Sequence, residues 1–238
     1  MKPSVRLASL EEIAPWRDLY RQSMNCQVLH DSLHPRAGWT QSYVFELGGA
    51  IAGYGSIAIA GPWKGMRVIF EFHVAPPYQT RVFDLFDALI QTSGATGIET
   101  QSNDKLLTVM LHALARNVET ESIVFEDKLM TALQAPDAQL VRREEPDKDW
   151  ALIVNGEIAA SGSILFHYNR PYGDVYMEVA EPFRRRGLGS YLVQELKRIC
   201  YDMGSIPCAR CNISNLASRK TLQKAGFVPC AHILKGIF

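Results

Sequence analysis

The chain has 238 residues, 47% of them hydrophobic, and its 25 Lys and Arg are balanced by 25 Asp and Glu. That length fits one large or two small domains, and that apolar content excludes wholesale disorder. A neutral chain without an apolar stretch of bilayer length argues against nucleic acid or a membrane as the main partner. Five irregularly spaced cysteines (Cys26, Cys200, Cys208, Cys211 and Cys230) give no disulfide framework, and the first residues lack a secretory signal. A reducing, soluble, cytoplasmic setting is expected.

Residues 4–8 alternate as a short strand. Ser9 then stands as an N-cap, with Glu11 and Glu12 in the first turn of a helix reaching Met24. Residues 27–38 are irregular and carry His30, His34 and Pro35. Residues 43–47 and 50–59 form a hairpin over Gly48-Gly49, and a strand at 67–74 ends at Pro76-Pro77. A helix at 80–93, a strand at 98–101, a helix at 105–117 and a strand at 122–125 follow. After Glu126 the chain turns polar, through Ala135-Pro136-Asp137 and residues 142–149, around a short strand at 139–142. The earlier order then returns: strands at 150–154, 157–167 and 174–179, a helix at 187–203, a strand at 208–213, a helix at 217–225 and a last strand near 231–234.

The return is visible in residues as well as in order. Residues 49–57 match 156–164 at six of nine positions, Val74 falls on Val179, Arg81 on Arg186, and Ser102-Asn103 on Ser214-Asn215. A period of more than one hundred residues indicates two copies of one domain rather than a solenoid.

The copies differ at one corner. Residues 181–192 join a strand to a helix through Arg184-Arg185-Arg186-Gly187-Leu188-Gly189-Ser190. Two glycines open the backbone at the start of a helix, where unpaired N–H groups and the helix dipole favour an anion, and three arginines add charge. In the first copy Val82 and Asp84 stand where Gly187 and Gly189 are, and Gln79 and Thr80 replace Arg184 and Arg185. The first copy is therefore expected to have lost the anion site.

Val179-Ala180-Glu181-Pro182-Phe183-Arg184-Arg185-Arg186-Gly187-Leu188-Gly189 resembles the Arg/Gln-x-x-Gly-x-Gly/Ala motif of the GNAT superfamily, the Gcn5-related N-acetyltransferases. Asn215 and Ser218, followed by Lys224-Ala225-Gly226-Phe227, are similar to that superfamily's Asn-x-x-Ser…Lys-x-Gly-Phe ending. The resemblance implies an α+β (α/β) fold of tandem GNAT-like domains, each a mixed, mostly antiparallel sheet flanked by helices. It implies a diverged domain without the cofactor loop at 1–126, a linker at 127–139 and an acetyltransferase domain at 140–238. By the same resemblance the ligand is acetyl-CoA. Its pyrophosphate would be held by Arg184, Arg185, Arg186, Gly187, Leu188, Gly189 and Ser190, its pantetheine arm by the main chain of Met177 and Val179, and Asn215 and Ser218 would lie along it. A primary amine, on a small molecule or a peptide, would attack the thioester directly in a ternary complex. The superfamily's usual tyrosine acid is Leu222 here.

Among the residues themselves, Glu178 is the base candidate and Tyr176, on the same face of its strand, the acid or amine contact; Tyr172, His167 and Asp174 are weaker candidates at that rim. Cys208 and Cys211 have no second pair and face opposite sides of a strand, so no metal is expected. The alternatives are an acyl-CoA-binding sensor without turnover and a Rossmann-type nucleotide site, the latter opposed by Leu192 where its third glycine belongs. The sequence leaves room for a homodimer.

Overall fold

The computed structural model describes residues 2–144 and 149–238. It forms two compact units, one of residues 2–121 with 232–238 and the other of residues 122–231. Part of the polar stretch expected between the copies, residues 145–148, lies outside the described residues.

The first unit contains β1 (Ser4–Ala8), α1 (Leu10–Met24), β2 (Thr40–Leu47), β3 (Ala50–Ala58), β4 (Val68–Val74), α2 (Val82–Ser93), β5 (Gly97–Gln101) and α3 (Lys105–Leu114). Strand β6 (Arg116–Asp127) begins in it and ends in the second unit. The second unit continues with β7 (Gln139–Arg142), β8 (Trp150–Val154), β9 (Glu157–Leu165), β10 (Tyr172–Val179), α4 (Leu188–Asp202), β11 (Ile206–Asn212) and α5 (Leu216–Lys224). Strand β12 (Phe227–Ile237) begins there and ends in the first unit. The helix expected at 105–117 stops at Leu114, because the alternating, β-branched sequence from Arg116 onward is better satisfied as a strand.

Pairing repeats between the units. In the first, β1 to β4 pair antiparallel in order, β4 pairs β5 parallel, and β5 pairs antiparallel with the end of β12. In the second, β7 to β10 pair antiparallel, β10 pairs β11 parallel, and β11 pairs antiparallel with the end of β6. Each unit is a mixed, mostly antiparallel sheet flanked by helices. The duplication extends to single bonds: Ala75 N–H donates to Ala52 O at 2.8 Å, and Ala180 N–H donates to Ala159 O at 3.0 Å.

The expected bounds of 1–126, 127–139 and 140–238 follow the chain, and the units do not. The strand after each copy's last helix closes the other copy's unit: residues 233–237 pair with β5, and residues 122–126 pair with β11. Helical spacing and strand alternation are local signals, so they carry no information on which edge a strand will join.

Each unit has its own core. Phe45, Phe72, Phe86, Leu89, Leu107 and Leu111 fill the first, with Phe72 and Phe86 edge to face at 4.9 Å. Leu152, Ile164, Val175, Leu192, Leu196, Leu222 and Phe227 fill the second. Each such side chain contributes about 1.5–3 kcal/mol by leaving water. The second unit also buries a charge pair. Lys197 of α4 is 1% exposed, and its Nζ lies 2.6 Å from Asp127 Oδ1. It also donates to Leu129 O at 2.8 Å and Ala225 O at 2.7 Å. Gly226, at φ 93°, lets that segment pass, since a Cβ there would lie 2.0 Å from Leu129 O. Among the described residues no helix is long and apolar enough to cross a membrane.

Candidate active site

The second unit's corner is built from backbone. Strand β10 ends at Val179, and Phe183 N–H closes a tight turn onto Ala180 O at 2.9 Å. Arg185 (φ 63°) and Gly187 (φ 82°) then adopt left-handed conformations that fold the chain back into α4. That helix has no side-chain cap and no acid in its first turn. Tyr191 N–H reaches Gly187 O at 3.1 Å, but the N–H groups of Leu188, Gly189 and Ser190 precede the first intrahelical bond. Uncapped amides and the positive end of the helix dipole make an anion cradle there.

The glycines keep the cradle open. A Cβ on Gly189 would sit 3.1 Å from Val179 Cγ2 and 3.3 Å from Thr221 Cγ2, so a side chain at this position crowds the floor. A Cβ on Gly187 would lie 3.7 Å from Lys224 Nζ, which sets an ammonium beside the corner. Arg184, Arg185, Lys220 and Lys224 line the same cleft, an open groove of about 810 Å³. Its volume suits a cofactor-sized ligand.

The groove continues along a splayed strand pair. Strands β10 and β11 pair only at Tyr172↔Ile206, Gly173↔Pro207 and Asp174↔Cys208, so β10 beyond Asp174 has an open edge. Ala180 N–H points to β9. Backbone groups alternate along a strand, so residues 178 and 176 also point to β9, while Met177 and Val179 present theirs to the open edge. Arg184 Nε donates to Val179 O at 3.2 Å. The side chains follow the opposite logic. Met177 and Val179 are half-buried against α4, whereas Glu178 is exposed on the other face and Tyr176 there is 44% exposed.

Met177, Glu178, Val179, Arg184, Arg185, Gly187, Leu188, Gly189, Ser190, Asn215 and Ser218 all line the groove. Arg186 does not: its guanidinium lies 5.5 Å over the Phe183 ring. Asn215 caps α5, accepting from Ser218 N–H at 3.0 Å. Leu222 is 3% exposed within the core. Lys220 and Lys224 were not singled out from sequence, although their i, i+4 spacing places both on one face of α5.

The first unit has the same splay, with β4 and β5 paired only at Val68↔Gly97 and Ile69↔Ile98, but its own chain bridges it. Residues 24–34 bond to both strands. The Gln101 amide donates to Gln27 O at 2.9 Å and its oxygen accepts from Leu29 N–H at 2.8 Å. His30 Nε2 lies 2.6 Å from Glu99 and His34 Nε2 lies 3.0 Å from Glu71. Asn103, the counterpart of Asn215, donates to Met24 O at 2.7 Å. At the first corner Val82 replaces a left-handed glycine, and Asp84 accepts from Arg81 Nε at 2.5 Å. His73, the counterpart of Glu178, packs near the Trp16 and Tyr54 rings, and burial lowers its pKa.

These buried acids set a pH response. Burial pushes the Asp104 carboxyl up to about 6. Burial acts upward on Glu71 and Glu99 too, but His34 and Arg17 beside Glu71, and His30 and Trp63 beside Glu99, bring both below the usual carboxylate value. A raised acid contributes stability below its unfolded pKa and loses it as pH rises through about 6; a lowered acid contributes above its unfolded pKa of about 4.3 and loses it as pH falls through the folded value. Through these three acids the first unit loses stability as pH rises from about 4 to about 6, by way of Asp104, and as pH falls below about 4, by way of Glu71 and Glu99. Asp104→Asn, which keeps a cap on α3, should flatten the limb between about pH 4 and 6 in melts followed by circular dichroism.

Residues 112–227 match the model of the Acetyltransferase (GNAT) family. A GNAT-family acetyltransferase from Colwellia psychrerythraea shares the fold with a TM-score of 0.75, at 14% identity and over 99% of both chains. A tandem GNAT protein from the clavulanic acid biosynthesis pathway, solved without AcCoA, matches with a TM-score of 0.66 at 12% identity, over 99% of this chain and 98% of that one. A GCN5-related N-acetyltransferase from Sphaerobacter thermophilus matches with 0.62 at 12% identity, over 99% and 96%. No curated protein sequence matches the chain. The fold is shared with these GNAT proteins over nearly the whole chain.

Proposed function

Because residues 112–227 match the GNAT family model, we propose that the chain is an acetyl-CoA-dependent N-acetyltransferase acting on a primary amine of a small molecule or a peptide. The observation that carries this reading is the uncapped, glycine-floored start of α4 beside an open strand edge. Acetyl-CoA supplies an acetyl group as a thioester, whose C–S bond is exchanged for a C–N bond to the amine. The amides of residues 188–190, with Lys224, Lys220, Arg184 and Arg185, hold the pyrophosphate. The main chain of Met177 and Val179 pairs with the pantetheine arm, for which the Arg184 side chain gives up Val179 O. Asn215 and Ser218 flank the arm from α5.

On the opposite face of β10, Glu178 takes the proton that the incoming ammonium must lose before its nitrogen can attack. The Tyr176 hydroxyl donates to the departing sulfur. Buried Leu222 cannot serve as the acid, and this favours one second reading, an acyl-CoA sensor without turnover.

The two readings part in one experiment. Thermal stabilisation by acetyl-CoA is expected, together with release of free thiol when amines are added. Stabilisation without thiol release for any amine would favour the sensor, and no stabilisation would sink both. Glu178→Gln is expected to lower kcat about 100-fold while leaving the acetyl-CoA Kd unchanged, as read by steady-state kinetics and calorimetry.

A further inference from the structure

The phosphate corner lies at one end of β10, and the point where β10 and β11 part lies at the other. Val179 lies five residue steps from Asp174, a span of about 16 Å along a strand. An arm that starts at the corner and follows Val179 and Met177 therefore delivers its reactive end near the parting. This placement rests on the function proposed above.

At the parting sits a cation. Arg210 of β11 lies two residues beyond the last parallel pair, Asp174↔Cys208, as Tyr176 does on β10. Alternation puts Asp174, Tyr176 and Glu178 on the same face as Cys208 and Arg210. The Arg210 guanidinium is positioned by its neighbours. One terminal nitrogen donates to Tyr168 Oη at 2.8 Å, the group lies 5.7 Å from the Tyr168 ring, and Nε is 3.7 Å from Asp174 Oδ2. Tyr168 and Asp174 are buried, whereas the Arg210 side chain is 46% exposed. A guanidinium has five N–H donors. Among the described residues the Tyr168 bond uses one, and the Asp174 contact is longer than a hydrogen bond.

We propose that Arg210 binds the carboxylate of an amino-acid-like acceptor, whose amine is directed to Glu178 and Tyr176. A forked cation and an acidic strand face at one parting complement a zwitterion: the carboxylate meets the guanidinium and the ammonium meets the acids. Arg suits this role because its planar fork matches a carboxylate with two parallel bonds, where a lysine offers a point charge.

The test compares matched acceptors: leucine with isopentylamine, phenylalanine with phenethylamine, and β-alanine with ethylamine. With acetyl-CoA saturating, each amino acid is expected to exceed its carboxylate-free partner in kcat/KM by at least about 10-fold, the effect of a charge-assisted contact. Arg210→Gln should collapse that ratio to near one, Arg210→Lys should restore part of it, and the acetyl-CoA Kd should hold in both. Equal use of the two acceptor types by the unaltered protein would overturn the assignment. So would an equal loss on both in Arg210→Gln, which would make Arg210 a brace for Tyr168 and Asp174. Where no acceptor is turned over, calorimetric binding of the same pairs to the CoA complex reads the same preference, and its absence counts equally against the proposal. Failure to bind acetyl-CoA removes the underlying function as well, and the Kd measurement distinguishes that case.

Discussion

Gly189→Asp is expected to eliminate measurable acetyl-CoA binding, raising Kd at least about 30-fold. Two effects act together. The new Cβ lies 3.1 Å from Val179 Cγ2 and 3.3 Å from Thr221 Cγ2, so the floor must shift to admit it. The new carboxylate also takes the place of the ligand's anion at the uncapped amides of α4. The variant should still fold, because an acid in the first turn of a helix is favourable. The first unit carries this arrangement already, with Asp84 in the first turn of α2. The reverse change, Asp84→Gly, is expected to leave acetyl-CoA affinity unchanged, since residues 24–34 still bridge the splay there. Isothermal titration of both variants checks the pair; an equal loss from each would contradict the assignment of the ligand to the second unit.

Lys197→Met is expected to destabilise the second unit by about 3–5 kcal/mol, the usual consequence of leaving one partner of a buried ion pair alone. Among the described residues, Asp127 would remain buried with the Tyr201 hydroxyl, at 2.9 Å, to answer its charge. The carbonyls of Leu129 and Ala225 would lose their donor as well. Adding Asp127→Leu should recover part of the loss, because an apolar pair can replace a buried charged one at little cost. Calorimetric melting of the single and double variants measures both. A single variant within about 1 kcal/mol of the parent would show that water reaches the pair.

Much of this was legible in the sequence. Pairs such as Val74 with Val179 and Ser102 with Ser214 carry the duplication, and Gly187 with Gly189 carries the corner, because turns and helix starts depend on local backbone freedom. Partner choice was not legible. Arg186 belongs to the same basic run as Arg184, yet stacking on Phe183 takes it away from the groove. Lys220 and Lys224 look like solvated helix residues until α5 is set beside the corner. The irregular stretch around His30 and His34 gave no sign that it bridges β4 and β5, since its bonds go to Glu71, Glu99 and Gln101, far along the chain. Gly226 read as a motif letter; its reason is the passage of Leu129, almost one hundred residues earlier.

The exchanged strands bear on how the protein is made. The strand segment that completes the first unit, residues 232–237, is translated after every residue of the second. An N-terminal half emerging from the ribosome therefore holds β5 with one edge waiting for a partner. Separate expression of residues 1–121 should give an open, self-associating sheet edge. Maturation runs against the direction of synthesis, and the first half to be written is the last to be finished.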